Sequence, residues 1–360
     1  MLRKLLSCLL GVACVSAGAQ AQTSRSAFES TFRDWMKENN VEKGVLAVSF
    51  DRRLVTVQGY GGQDPRERVL LASLSKAITG RCVAALVNAG KLRFDSTVGE
   101  MLAPFFRQHG EPVDARLKEV TVEQLLAHRA GFPPAPRDLM APAAVELLRA
   151  RTPGKTAPAE LLAATLTQPL ASAPGEAFRY SNIGYLTLGV MIETVTGESY
   201  EHACTRTVLV PAGIRAPGLD EEWRAFSSFG GWRLSGPEYL AFLANDRDPG
   251  TSRELPASGG PSAWQPIHYG LGQFIASIGD APASRLAWHT GSWGVPPDTI
   301  GMHAAQHADG AAWFVWFTPR PAKDATDALL ENLAALPSTV AAWPAHDLFP
   351  EHGITRQQRK

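Results

Sequence analysis

Apolar positions change their period several times along this chain, and each change predicts an element. From Ala27 to Lys37, Phe28, Phe32, Trp35 and Met36 recur at helical spacing, which predicts an amphipathic helix. Val45 to Phe50 and Leu54 to Val57 then read as a hairpin turning at Asp51-Arg52-Arg53. An apolar run ending near Leu71 leads into a helix that continues through Val87. Beyond it the chain reads as mostly helical. Thr121-Val-Glu-Gln124 and Ser235-Gly-Pro-Glu238 are capping boxes, in which a hydroxyl residue precedes Glu or Gln by three positions. They open helices at Leu125-Leu126 and through Leu243. Pro158 stands near the start of a helix through Leu166, and Ile183 to Val195 reads as a helix stopped at Gly197. Gly131 to Pro158 and Asp246 to Gln265 are dense in loop residues and predict loops.

Strand character returns in Gly272 to Ile278, Arg285 to Trp288, Asp298 to Ala304 and Ala311 to Phe317, the last two joined by a turn at His307-Ala-Asp-Gly310. A final helix, Ala325 to Leu336, sets Leu329, Leu330, Leu333 and Leu336 on one side and stops at Pro337. The order is helix, strands, a long helical middle, strands, helix. It predicts an α+β sandwich: one antiparallel sheet built from both chain ends, flanked by the terminal helices, with an inserted and mostly helical domain. The sheet part covers about 24–88 and 266–345, the helical part about 89–265, and the active site lies in the cleft between them. Residues 346–360 read as a polar tail.

Composition sharpens this picture at three points. Lys+Arg and Asp+Glu balance at 35 each, and no basic block interrupts the chain before its last residues, so a nucleic-acid partner is not indicated. Arg3 and Lys4, the apolar stretch Leu5 to Val15 and the small residues of Ala17-Gly-Ala19 and Ala19-Gln-Ala21 compose a signal peptide over 1–21. That stretch is too short to span a membrane, so a periplasmic or secreted product is expected; Cys14 offers a lipid anchor as the alternative. Only Cys82 and Cys204 would remain after cleavage; both fall in predicted helices among apolar neighbours, and their spacing neither demands nor forbids a disulfide. No Cys or His pattern calls for a metal, and no cofactor is indicated.

The chemistry concentrates in three short motifs. Ser73-Leu-Ser-Lys76 places a hydroxyl and an ammonium on one face at a helix start, where a basic neighbour can take the serine proton. Tyr180-Ser181-Asn182 lies on a loop feeding a helix, and His289-Thr290-Gly291 follows a predicted strand. In this order the motifs resemble the serine β-lactamase and penicillin-binding-protein superfamily. The tyrosine of the second motif is similar to the class C β-lactamase branch, with its D,D-peptidases and family VIII esterases. The likeness extends to Gly90-Lys-Leu-Arg-Phe-Asp95, Thr121 to Gly131, Pro174 to Gly189, Gly230-Gly231 and Tyr269-Gly-Leu-Gly272.

The resemblance implies Ser73 as nucleophile, with Lys76 and Tyr180 for proton transfer, either of them as the immediate base. It implies an oxyanion hole of the backbone N–H groups of Ser73 and Ser292. Asn182 would hydrogen-bond Lys76 and the substrate, or cap its helix. His289, Thr290, Gly291 and Trp293 would contact substrate, with Gly291 leaving room for its close approach. Many relatives carry lysine where this chain has His289, and a histidine mostly neutral near pH 7 is a weaker partner for a carboxylate. The expected activity is therefore hydrolysis of a small ester, amide or peptide, with a class C β-lactamase or a non-hydrolytic penicillin- or peptidoglycan-binding protein as alternatives. His303 and His307 lack a zinc-protease glutamate and are expected at the surface.

Overall fold

A computed structural model describes residues 27–133, 158–221, 223–245, 254–278 and 285–355. The expected signal peptide and most of the loop from Gly131 lie outside these residues.

Strand β11, Ala311–Thr318, is apolar at every position but the last. Such a run forms when both faces of a sheet are covered. Preceding it in chain order are β1 (Lys43–Phe50), β2 (Arg53–Tyr60), β3 (Val69–Leu70), β4 (Gly218–Leu219), β5 (Trp232–Leu234), β6 (Leu255–Ala257), β7 (Ile267–Gly270), β8 (Gln273–Ser277), β9 (Arg285–Val295) and β10 (Asp298–His307). The main sheet has eight strands in the order β2-β1-β11-β10-β9-β8-β7-β6. Every pairing in it is antiparallel, and β1 from the front of the chain pairs with β11 from the back, Lys43 opposite Thr318. The β1–β2 hairpin turns at Asp51 and Arg52, whose φ values of 44° and 64° match the turn handedness that a twisted hairpin needs.

Among the described residues, the helices of eight or more residues are α1 (27–38), α2 (Ser75–Asn88), α3 (Pro158–Thr165), α4 (Asn182–Thr196), α5 (Gly236–Ala244) and α6 (Lys323–Ala335). On the outer face, Phe28, Phe32 and Trp35 of α1 and Leu329, Leu330 and Leu333 of α6 pack on Leu46, Val48, Trp313, Val315 and Phe317. Trp35 Nε1 donates to the Ala325 carbonyl at 2.8 Å and ties the two helices together. On the inner face, Val45, Ala47, Met302, Phe314 and Trp316 join the core built with α2, α4 and α5. The antiparallel sheet, the flanking terminal helices and the helical layer are those expected.

Several details differ. The region expected as a loop to Gln265 contributes the edge strand β6, where Pro256 costs no interior ladder bond. The turn Leu271-Gly272 joins β7 and β8 into a hairpin that the sequence showed only in part. The helical part holds a small sheet of order β3-β5-β4, made of runs too short to show a period. The expected polar tail starts with a docked segment: Leu348 N donates to Leu54 O at 2.9 Å, and Phe349 and Ile354 are buried. His303 and His307 are buried rather than at the surface, because β10 continues to His307 and its odd positions face the layer beneath α6. His307 Nε2 lies 3.3 Å from the Ala334 carbonyl of that helix. Cys82 and Cys204 form a disulfide with Cα atoms 5.3 Å apart, joining α2 to the helix Tyr200–Cys204.

Candidate active site

Ser73 occupies the middle of a 3₁₀ turn, Ala72–Leu74, immediately ahead of α2. Ala72 has φ +44°, a left-handed conformation costly for a residue with a Cβ. The turn is held from three sides: Leu71 N donates to Trp232 O at 2.8 Å, Trp232 N to Ser75 Oγ at 3.2 Å, and the Tyr239 hydroxyl to Leu74 O at 3.2 Å. Three of the seven non-glycine residues with positive φ among the described residues lie around this turn: Ala72, His128 and Leu271. Such strain persists where the surroundings over-determine it. Leu271 shows how, since a Cβ on Gly80 of α2 would stand 2.2 Å from the Leu271 carbonyl oxygen. Helix and β7–β8 turn are pressed together, and only glycine fits there.

Lys76, the second residue of α2, is fully buried. Its Nζ donates to Asn182 Oδ1 at 2.7 Å, to the Phe229 carbonyl at 3.1 Å and to Ser73 Oγ at 3.2 Å. It also sits 4.8 Å from the Tyr180 ring centroid, so one ammonium touches the first two motifs at once. Ser181, not Asn182, is the N-cap of α4: its side chain accepts from Ile183 N at 3.2 Å. Asn182 is thereby the first residue of the helix, with its amide oxygen aimed at Lys76.

The Tyr180–Asn182 loop rests on His128, which the sequence reading did not single out. His128 Nδ1 accepts from Ser181 N at 3.1 Å, and its carbonyl accepts from Arg179 N at 2.7 Å. The imidazole lies 4.3 Å from the Tyr180 ring and 4.6 Å from Tyr269, centroid to centroid. Burial and then the Lys76 charge hold His128 well below the ordinary histidine range, in the neutral form. The only sequence signal for it was the segment Thr121 to Gly131, where it stands with Ala127 and Arg129.

The third motif lies in the middle of β9 rather than after a strand. The strand's two-residue period turns His289, Gly291 and Trp293 toward the helical layer. His289 is buried, with Nδ1 2.6 Å from the Thr290 carbonyl and Nε2 3.0 Å from the Tyr269 hydroxyl. Nδ1 therefore donates and Nε2 accepts. Burial and the nearby Lys76 push its pKa down to about 3. Burial likewise pushes the Tyr269 phenol well above its ordinary value, so it stays a donor. The close approach at Gly291 is made by the protein itself. A Cβ there would lie 2.9 Å from the Leu71 carbonyl and 3.1 Å from Leu74, so the glycine lets β9 press against the Ser73 turn.

That contact brings Ser73 and Ser292 into one cleft. Leu70, Ala72, Asn182, Gly230 and an aromatic group of Trp223, Phe226, Phe229 and Trp293 complete its lining. His289 and Thr290 are not in the lining; Lys76 lies buried behind Ser73, and Tyr180 is half-buried beside it. The aromatic residues other than Trp293 escaped the sequence reading, because they sit in a segment without periodicity. Among the described residues no group of three or more His, Cys, Asp or Glu could hold a metal, and no helix is long and apolar enough to cross a membrane.

Comparison with known proteins identifies relatives in sequence and in fold. The chain is 29% identical over 192 residues to Protein flp of Staphylococcus aureus (strain COL), spanning 49% of this chain and 36% of that protein, so it covers about a third of the length of the relative it matches. Its fold is similar to that of the D-amino acid amidase of Ochrobactrum anthropi SV3, with a TM-score of 0.67 at 14% identity over 88% of this chain and 98% of that one. It is also similar to the octameric penicillin-binding protein homologue of Pyrococcus abyssi, with a TM-score of 0.65 at 21% identity over 86% and 77% of the two chains. The Beta-lactamase family model matches residues 28–336, and the chain belongs to that family.

Proposed function

We propose that this chain is an exported serine hydrolase that cleaves an uncharged ester or amide through an acyl-enzyme on Ser73. The observation that carries this reading is the buried Lys76 Nζ, 3.2 Å from Ser73 Oγ and 2.7 Å from Asn182 Oδ1, with Tyr180 beside it. The Ser73 oxygen attacks the substrate carbonyl while its proton passes to the basic partner, either the unprotonated Lys76 amine or the Tyr180 phenolate. The oxygen of the tetrahedral intermediate lies between the backbone N–H groups of Ser73 and Ser292. Collapse breaks the bond to the leaving group, which takes up that proton. Water then attacks the ester on Ser73 and releases the acid. Asn182 orients Lys76 from the first turn of α4, and His128 and His289 are positioning residues that support Tyr180 and β9.

The preference for a neutral substrate rests on the third motif. A histidine with both nitrogens engaged and its pKa at about 3 supplies no positive charge for a carboxylate. No charged side chain lines the cleft among the described residues. Neighbours in fold include a D-amino acid amidase and a D-alanine carboxypeptidase, which supports acyl transfer from an amide as well as an ester. Export is supported by the N-terminal pattern and by the buried Cys82–Cys204 disulfide, a bond that persists in oxidising compartments.

Intact-mass measurement after a fluorophosphonate or a labelled penicillin tests the nucleophile: wild type gains one adduct and Ser73→Ala gains none. An unlabelled wild type that also turns over no ester or amide would leave a binding protein as the better reading. A panel of p-nitrophenyl esters, D-amino-acid amides and a chromogenic cephalosporin ranks the substrates. Cephalosporin turnover far above the others would overturn the neutral-substrate assignment.

A further inference from the structure

Trp223, Phe226, Phe229 and Trp293 meet on one side of the cleft, and their arrangement carries an inference that rests on the acyl-enzyme reading above. The rings form a continuous wall. Trp223 and Trp293 meet edge-to-face at 4.5 Å, Trp223 stacks on Phe226 at 5.4 Å, and Phe226 meets Phe229 at 5.1 Å. The wall draws on two distant parts of the chain, the segment before β5 and the strand β9, and it runs up to Ser73 and Ser292 in the same cavity. Leu70 and the side-chain-free Gly230 extend it, and a Cβ at Gly230 would find its nearest atoms only at 3.9 and 4.0 Å. The nearest cation along that segment, Arg224, is turned to Glu201 and Glu221 at 3.3 and 2.8 Å.

We infer that this wall is the pocket for the acyl part of the substrate, and that it selects a compact, uncharged aromatic or branched apolar acyl group. The acyl part stays bonded to Ser73 after the leaving group departs, so it occupies the portion of the cleft that begins at Ser73 and is walled by side chains. The leaving group must exit toward solvent before water can enter. Aromatic rings meeting edge-to-face offer a further ring both apolar area and favourable geometry. Apart from the two indoles, Asn182, Ser73 and Ser292 are the polar side chains of the lining, and all three stand at the reacting end.

The test holds the leaving group constant and varies the acyl group. With wild type, p-nitrophenyl phenylacetate should exceed p-nitrophenyl acetate in kcat/KM by about 100-fold, a size typical of filling an apolar pocket. The negatively charged p-nitrophenyl hemisuccinate should fall below the acetate. In Trp293→Ala, whose ring is half-buried, and in Trp223→Leu, the phenylacetate-to-acetate ratio should drop at least about 10-fold. A ratio near one in wild type, or one unchanged in both variants, overturns the acyl pocket. A second arm holds the acyl group at acetyl and compares p-nitrophenyl with naphthyl leaving groups. Selectivity residing there and lost in Trp293→Ala would assign the wall to the leaving group and overturn the proposal. Labelling by a methyl fluorophosphonate, too small to need the wall, reports separately on Ser73. Labelling with no acyl selectivity removes only the pocket, whereas no labelling removes the reading on which it rests.

Discussion

On the outer face of the main sheet, Trp313, Val315 and Phe317 of β11 meet Phe28, Trp35 and Leu329. One residue along on the same strand, Phe314 and Trp316 point inward, toward the layer that also buries Lys76, His128 and His289. Each face holds buried histidine. His303 outside and His289 inside are both pushed by burial to about 3. Yet His303 has a bond from Trp313 Nε1 at 3.3 Å to one nitrogen, and its Nε2 has no hydrogen-bond partner. Both His289 nitrogens are bonded, and Lys76 adds its charge to the neighbourhood. The outer face needs volume and apolarity. The inner face also orients polar groups around Lys76 through hydrogen bonds, although His128 Nε2 there, like His303 Nε2 outside, has no hydrogen-bond partner.

The sharpest separation of the two faces is expected from Ser73→Ala. Turnover should fall by about 10⁴-fold or more, while the melting temperature stays put. A loss confined to about tenfold would mean that another group carries the acyl transfer. Next in size, His289→Lys would bury a second ammonium near Lys76 in a space that satisfies neither. It should cost about 3–5 kcal/mol in urea unfolding without improving turnover of carboxylate-bearing substrates. Full stability, or a gain on such substrates, would show that this strand position reaches the cleft. On the other face, Leu333→Ala should cost about 2–5 kcal/mol through the cavity it leaves, with kcat/KM unchanged at temperatures where the protein stays folded. A matching drop in kcat/KM would mean that strain passes through the sheet.

Acidity should act on both faces together. His128, His289 and His303 have folded-state pKa values far below the unfolded value of about 6.5. The unfolded chain therefore binds protons that the folded chain refuses. Stability is fully present above about pH 6.5 and declines as pH falls toward 3, by about 1.4 kcal/mol per pH unit for each histidine. Unfolding free energy measured between pH 7 and 4 checks the slope. His303→Phe should reduce it by one proton and leave the activity profile alone.

The outer face was readable in the sequence because α1 and α6 carry a clean helical period and β11 an unbroken apolar run. The capping boxes at Thr121 and Ser235 and the stop at Gly197 were equally readable, being local hydrogen-bond devices. The inner face was readable only where motifs stood out. The structure brings Ser73, Lys76 and Asn182 together, but His128 and Tyr269 were not singled out, since a buried polar residue shares no period with its partners. Gly291 was assigned its small size for a substrate, whereas the structure gives that space to Leu71 and Leu74. His307 was misplaced because polar residues ended the predicted strand early, whereas His303 lay inside it, on the face that α6 covers. Of the aromatic wall only Trp293 was legible, because Trp223, Phe226 and Phe229 share a segment without periodicity.

The pairing of β1 with β11 has a consequence for biosynthesis. β1 leaves the ribosome early, forms its hairpin with β2, and then waits with its other edge open until most of the chain has been made. Ser73 and Lys76 are synthesised in the same early stretch, but Ser292 and the strand that presses on the Ser73 turn arrive late. The nascent protein therefore has Ser73 and Lys76 before it has Ser292 beside them. Long-range closure of this kind is slow to nucleate, and an exposed strand edge invites wrong partners in the meantime. The order of the elements thus delays assembly of the proposed site until the last strands have emerged.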